Sequence, residues 1–402
     1  MTVAQALYDP FDQQFNDNPY PAYRQLRDND PVHRHAEPPF WVLSRFADIW
    51  DAVRNPDVYS SEQGLTFYPD EIGELGLAPT IVMLDPPRHG ELRRLISRGF
   101  TPGRVAALEP MIRQFVRERI ALMQRKAIDG EQVDLHRDFA SPIPTFVLAH
   151  LLGVPESDRA RFDPWVAALT HVQNSGFSLE SVGASNAVAE MFGYFNDLIV
   201  ARRAEPAADL ISALTRAEVD GQKLTDWDIL GFCFVMVAGG NDTTGALIAH
   251  AVMLLDTFPD ERTKLAENLS LIPGALLEFL RMEGSVQGLA RTSLAPVTIH
   301  GVDIAAGEKV LMLYGSANRD EREFGPTADR LDITREVPRQ LGFSSGPHFC
   351  VGSHLARLQT RVALEELYAS QPGIGVDLAG ARRLQSPFTR GWTRLPATGI
   401  IG

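Results

Sequence analysis

From Thr225 to about Asp256 the chain sustains an apolar pattern that a long, largely buried helix satisfies best. Thr225-Asp226-Trp227-Asp228 reads as its capped start, with an acid three residues after the threonine. Thr257-Phe258-Pro259 stops it. At about 1.5 Å per residue, roughly 30 residues make a helix of about 45 Å, enough to cross a whole domain. Gly239-Gly240-Asn241-Asp242-Thr243-Thr244 stand in its middle, and all are poor interior helix residues. Each glycine costs roughly 1 kcal/mol against alanine. A central helix weakened there points to a functional distortion, or to something that must approach the backbone closely.

The rest of the chain reads as helices around that axis, with a small β portion. Phe40-Trp41-Val42-Leu43 is β-like, and the pattern from Glu91 to about Leu214 is mostly helical. Val105 to Met123 has apolar residues at helical spacing, and Ile272 to Met282 is another helix. Val297-Thr298-Ile299 and Val302-Asp303-Ile304 flank His300-Gly301 as a hairpin, and Lys309 to Leu313 is a strand. An irregular Gly/Pro-rich stretch runs from Gly315 to Pro347, and a helix begins at or just after Cys350 and ends near Ser370. No repeat or linker divides residues 1–402, so a single mainly α domain is expected.

Acids outnumber Lys and Arg by 51 to 38, a formal charge of -13, which argues against a nucleic-acid binder. The two cysteines, Cys233 and Cys350, give neither a disulfide framework nor a cysteine-built zinc site. A reducing, cytoplasmic home and a monomeric state are expected. The N-terminus lacks a basic n-region and an apolar core, so it is not read as a signal peptide. Ile229 to Gly240 is too short for a span of about 20 residues, so no membrane anchor is expected.

Cys233 sits in the apolar run Gly231-Phe232-Cys233-Phe234-Val235 and reads as a core thiol. Cys350 differs. The loop Leu341-Gly342-Phe343-Ser344-Ser345-Gly346-Pro347-His348-Phe349 leads into it, and a helix follows. Free amides at a helix start and the helix dipole stabilise a thiolate. Ser345, Gly346 and Gly352 leave space for a flat object, and Phe343 can cover the sulfur.

This loop resembles the cysteine signature of the cytochrome P-450 superfamily, Phe-x-x-Gly-x-x-x-Cys-x-Gly, at Phe343, Gly346, Cys350 and Gly352. Ser344 departs from it, because glycine is usual there. Three further motifs match in order. Glu278-Phe279-Leu280-Arg281 resembles the family's Glu-x-x-Arg pair, which a basic residue joins; Arg330 is the first candidate and Arg335 the second. Asp242-Thr243 resembles the acid-alcohol pair of the distal helix, which relays protons during oxygen activation. His89 and Arg93, with Arg291 and His348, match the groups that hold the haem propionates. Ala317-Asn318-Arg319-Asp320 and Phe324-Gly325-Pro326 resemble the segment before the cysteine loop. Gly239 to Thr243, Val286 to Arg291 and Leu313 to Ala317 look most like the bacterial 130 family.

The resemblance implies a triangular, mainly α fold with haem b between the stretch Ala238, Gly239 to Thr243 and the helix at Cys350, the iron's thiolate ligand. It implies a monooxygenase that takes O2, a hydrophobic small-molecule substrate, and two electrons from outside. No Gly-x-Gly-x-x-Gly follows a strand, so a separate ferredoxin or flavodoxin with its reductase is the expected donor. Arg93, Arg94, Arg98 and Arg357 are its expected docking residues. A peroxide-driven peroxygenase and a catalytically silent haem binder are the alternatives; Asp242-Thr243 argues against the first, and Cys350 with Asp242 and Thr243 against the second. Leu65 to Pro79, Phe234 to Gly240, Gly288 to Ala290 and Phe388-Thr389 are expected around the substrate, beneath a lid at Val172 to Ala184.

Overall fold

The computed structural model describes residues 8–68, 80–98, 100–162, 164–166, 168, 186–219 and 221–402. The expected lid, 172–184, and most of the expected pocket loop, 69–79, lie outside them. Six helices frame the site: α1 (Arg88–Ser97), α2 (Glu109–Ile128), α3 (Pro142–Leu151), α4 (Asp226–Thr257), α5 (Ile272–Met282) and α6 (Ser353–Ser370). The helix read as Val105 to Met123 is split. Pro102–Ala106 forms a short helix of its own, and α2 starts afresh with Pro110 in its first turn. A proline fits that position, where no amide partner is needed.

Helix α4 spans 32 residues. Its capping box is formed: the Asp228 amide donates to Thr225 Oγ1 at 3.1 Å, and the Thr225 amide donates to Asp228 Oδ2 at 2.9 Å. The expected distortion is absent, since the helix continues through Gly239 to Thr244. As one piece, α4 is long and apolar enough to cross a membrane by length and composition, unlike the shorter stretch first considered. Most of it is buried against α3, α5 and α6. Gly245 allows the closest approach, because a Cβ there would lie 3.2 Å from the Ser141 Cα.

Five strands form the main sheet: β1 (Val32–His35), β2 (Phe40–Leu43), β3 (Tyr59–Ser60), β4 (Leu289–Ser293) and β5 (Lys309–Met312). Their order is β1-β2-β5-β4-β3, with β2 and β5 parallel and the other pairs antiparallel. Phe40, Val42 and Leu311 belong to a core beside this sheet, separate from the helical core around α4. The hairpin read around His300-Gly301 is present, with both residues at positive φ as a two-residue turn requires.

Two buried ionic networks tie these parts together. Arg281 donates to both carboxylate oxygens of Glu278, at 2.6 and 2.8 Å, and neither side chain is exposed. Its remaining N–H groups reach the carbonyls of Asn318, Ala328 and Arg330. Arg335 is the third member, with Nε 3.2 Å from Glu278 Oε1. The first candidate, Arg330, gives only its carbonyl, because the turn at Asp332 brings Arg335 back to the carboxylate. Asn318 Oδ1 then accepts from the Leu341 amide at 2.7 Å, fixing the start of the cysteine loop.

The second network centres on Glu283, paired with Arg390 at 2.9 Å and Arg319 at 3.5 Å. Burial alone would raise its carboxyl, but Arg390, Arg383 and His250 hold it below the ordinary range. His250, on α4, places Nδ1 3.0 Å from the Glu283 carbonyl and Nε2 3.3 Å from Arg383. Burial pushes its imidazole down to about 3, against the opposing pull of Glu283. An unfolded chain would protonate this histidine near pH 6.5. Protons therefore favour the unfolded state between that pH and about 3, and stability falls as pH drops through the window. Urea unfolding followed from pH 7 to pH 4 should lose less stability in His250→Gln than in the parent protein; equal losses would contradict the assignment.

Candidate functional site

The cysteine loop is held by its own backbone. The Cys350 amide donates to the Phe343 carbonyl at 3.0 Å, and the chain between turns twice through the left-handed region, at Ser344 (φ 57°) and Gly346 (φ 67°). A Cβ at Gly346 would also stand 2.7 Å from the Val53 carbonyl, so only glycine fits there. Ser344 accepts the turn that glycine usually takes, and its Oγ lies 3.4 Å from the Tyr314 hydroxyl. Phe343 is buried, with the Arg357 guanidinium 5.4 Å from its ring and Phe349 at 6.4 Å.

Helix α6 starts at Ser353, three residues after Cys350 and capped by Gly352. Burial pushes the Cys350 thiol up; the amides of Gly352 and Ser353 and the charge of Arg93 act the other way. Beyond Gly352 there is room, since a Cβ there would meet only Sγ, at 3.9 Å. Cys233 is fully buried, and burial raises its thiol well above the ordinary range, as fits a core residue.

His89, Arg93, Arg291 and His348 come together beside the sulfur. The rings of His89 and His348 lie 4.2 Å apart. His348 Nε2 is 3.2 Å from Ser61 Oγ, and Arg93 donates to the Phe349 carbonyl at 2.6 Å. Arg291 is 4% exposed and hydrogen-bonds only the adjacent Ala290 carbonyl, at 2.7 Å, among the described residues. Neither Arg93 nor Arg291 forms an ion pair with a carboxylate there. Burial, then Arg291, His89 and Arg93, push His348 down to about 3. Buried cations without a counter-charge are unfavourable, so this cluster fits a ligand carrying two negative charges.

On α4, Ala238 is half-buried and Gly239 is exposed, although the helix runs through the core. A Cβ at Gly239 would meet nothing within 4 Å. The Thr243 hydroxyl donates to the Gly239 carbonyl at 2.7 Å, and Asn241 Nδ2 lies 3.3 Å from Asp242 Oδ1. The glycines thus leave open space beside an intact helix. Sequence reasoning missed Ser285, whose hydroxyl donates to the Thr243 carbonyl at 2.7 Å, and Thr145, which donates to Asn241 Oδ1 at 2.7 Å. Both reach α4 from other elements, and no local pattern marks them.

These features fit haem. Among the described residues no three His, Cys, Asp or Glu side chains gather to hold a metal ion, whereas a lone thiol with helix amides suits iron already held by a macrocycle. The two arginines without carboxylate partners suit two propionates, and the open face at Gly239 suits a flat ring. Expected pocket residues Phe67, Tyr68 and Phe388 form an aromatic group, with Phe67 and Phe388 4.6 Å apart.

The profile of the family described as Cytochrome P450 matches residues 57–368. "Cytochrome P450 130" of Mycobacterium tuberculosis is 47% identical over 369 residues, 89% of each chain. "Vitamin D(3) 25-hydroxylase" of Pseudonocardia autotrophica is 37% identical over 407 residues, 99% of this chain and 98% of its own. The solved structure of cytochrome P450 CYP109Q5 from Chondromyces apiculatus superposes with a TM-score of 0.88 at 32% identity, over 98% of each chain.

The Ser344 turn yields a stability test. A non-glycine residue in that region carries about 1–2 kcal/mol of backbone cost. Glycine removes it but frees the unfolded chain, which offsets roughly 0.4–1 kcal/mol. Ser344→Gly should therefore raise the urea midpoint slightly, and a clear fall would contradict the strained turn.

Proposed function

This chain belongs to the cytochrome P450 family, and from that membership we propose that it inserts one oxygen atom of O2 into a bulky hydrophobic substrate, using electrons from a ferredoxin or flavodoxin. It is a haem monooxygenase with haem b as cofactor, and its reaction takes O2, a small molecule and a redox partner. When bound, the haem supplies the activation of O2. The observation that most supports the reading is the cluster of Arg291, His348, His89 and Arg93 beside the Cys350 loop, in which buried Arg291 has no carboxylate partner among the described residues.

In this reading Cys350 ligates the iron, and Phe343 and the half-buried Arg357 keep water from the sulfur. Gly346 and Gly352 let the loop lie close to the ring. His89, Arg93, Arg291 and His348 hold the propionates. Ala238 and Gly239 would border the bound ring, and the Thr243 hydroxyl would donate a proton that Asp242 replaces. The aromatic group of Phe67, Tyr68 and Phe388 and the similarity to a vitamin D(3) hydroxylase support a large apolar substrate. Arg94 on α1 and Arg98 at its C-cap are exposed and Phe349 is 39% exposed nearby, which supports docking of an acidic donor on the thiolate side. A single domain, a monomeric state and a cytoplasmic setting belong to the same proposal.

The reduced protein with carbon monoxide should show the strongly red-shifted Soret band of thiolate ligation, and Cys350→Ser should abolish it. A parent protein loaded with haem but lacking that band would refute the ligand. Vitamin D3, added as a first probe among steroids and fatty acids, should shift the haem spectrum if the pocket accepts bulky apolar molecules. Charge reversal at Arg94 and Arg98 should slow reduction by an acidic ferredoxin, more so at low salt; an unchanged rate would remove the docking assignment.

A further inference from the structure

Behind α4, on the side that Asp242 faces, lies a cavity of about 820 Å³. Asp242, Thr243, Ser285, His136 and Trp392 line it, and Arg119, Arg137 and Arg159 stand along the same wall. It is large enough for a chain of waters at about 30 Å³ each. Three of its lining residues carry buried polar atoms without a hydrogen-bond partner among the described residues: His136 Nδ1, Arg159 Nε and Trp392 Nε1.

His136 is held in place by its backbone. It lies on a six-residue π-helical turn, Leu135–Ala140, packed against α2, α3 and α4. Such turns are rare and often occur at functional sites. Asp134 Oδ1 caps the turn, accepting from the amides of His136 and Arg137 at 2.9 and 3.0 Å. Asp138 is held by Lys126 at 2.9 Å, and its carbonyl accepts from Arg119 Nε at 2.7 Å. The backbone is thus fixed while the imidazole is left unpinned. His250 contrasts with it, since both its nitrogens are engaged. Because no bond fixes the Nδ1 of His136, neither tautomer is imposed, and the half-buried ring keeps contact with solvent.

The charged groups around it are Asp242 from α4, Asp134, Arg137 and Asp138 from its own turn, Arg119 from α2, and Arg159. Burial pushes the His136 imidazole down, and the charge of Asp242 is the largest influence that pulls it back. His136 and Asp242 therefore share one cavity and sense each other's charge.

We propose that His136 passes protons from solvent to Asp242 through water in this cavity, resting on the reading of Asp242 and Thr243 given above. The step balances as a proton transfer. Asp242 gives its carboxylic proton toward Thr243 and becomes a carboxylate. Protonated His136 gives an N–H proton to a cavity water, which protonates Asp242, and neutral His136 regains a proton from bulk water. No electrons move. His136 acts through Asp242 and meets neither substrate nor cofactor.

Histidine-labelled NMR of the reduced, carbon-monoxide-bound holoprotein tests the link, with the His136 signal assigned by its loss in His136→Gln. The His136 titration should move to lower pH in Asp242→Asn, because a negative charge has been removed; a midpoint that stays put overturns the proposal. The second test follows O2 uptake by the holoprotein with a ferredoxin and its reductase, in H2O and D2O. His136→Gln should slow uptake roughly 10-fold and enlarge the solvent isotope effect, less than the roughly 100-fold or more expected for a group that transfers its proton directly. If His136→Gln keeps the parent rate and isotope effect while Asp242→Asn is slow, the histidine relay fails and the acid-alcohol reading survives. If Asp242→Asn is itself unchanged, that reading fails and the relay falls with it.

Discussion

Burying a charge is unfavourable unless something answers it, and this molecule answers most of its buried charges internally. Glu278 has Arg281 and Arg335; Glu283 has Arg390 and Arg319. Each network also gathers carbonyls from distant parts of the chain, so the ion pairs act as clamps on irregular backbone. The first clamp holds the segment that ends in the cysteine loop. Against that background, a buried Arg291 with no carboxylate partner among the described residues is an invitation to an anion. In the proposed function that anion is the pair of haem propionates.

The same economy shapes helix α4. Its flanks are packed with large apolar side chains, and its middle is stripped to glycine, with open space beside Gly239. Thr243 turns its hydroxyl back to the Gly239 carbonyl, and Ser285 caps the Thr243 carbonyl from another segment. The helix therefore keeps its form while Asn241, Asp242 and Thr243 line the cavity of His136.

Much of this was legible in the residues. The start and end of α4, the limits of α5 and the hairpin at His300-Gly301 follow from local rules of capping, periodicity and turn chemistry. The cysteine loop was legible because its residue types are required one by one, and Gly346 shows why: one position meets both a positive φ and a carbonyl wall. Arg335 in place of Arg330 was not legible, because a turn decides which of two nearby arginines returns to Glu278. Nor was the unbroken course of α4, since tertiary packing overrides the low helix propensity of Gly-Gly-Asn-Asp-Thr-Thr. Ser285, Thr145 and His136 owe their places to partners 42, 96 and 106 residues away along the chain, which leave no mark on the local pattern.

Arg390 carries one further consequence. It lines the His136 cavity, pairs with Glu283, and also donates to the carbonyls of Asn16 and Asp17 near the start of the chain. The opening segment is thus stitched to the wall of the chamber by main-chain atoms, whatever side chains it carries. Trimming the protein back past those two residues, or fusing a donor domain where it drags on them, would tug on the wall of the His136 cavity from its outermost thread.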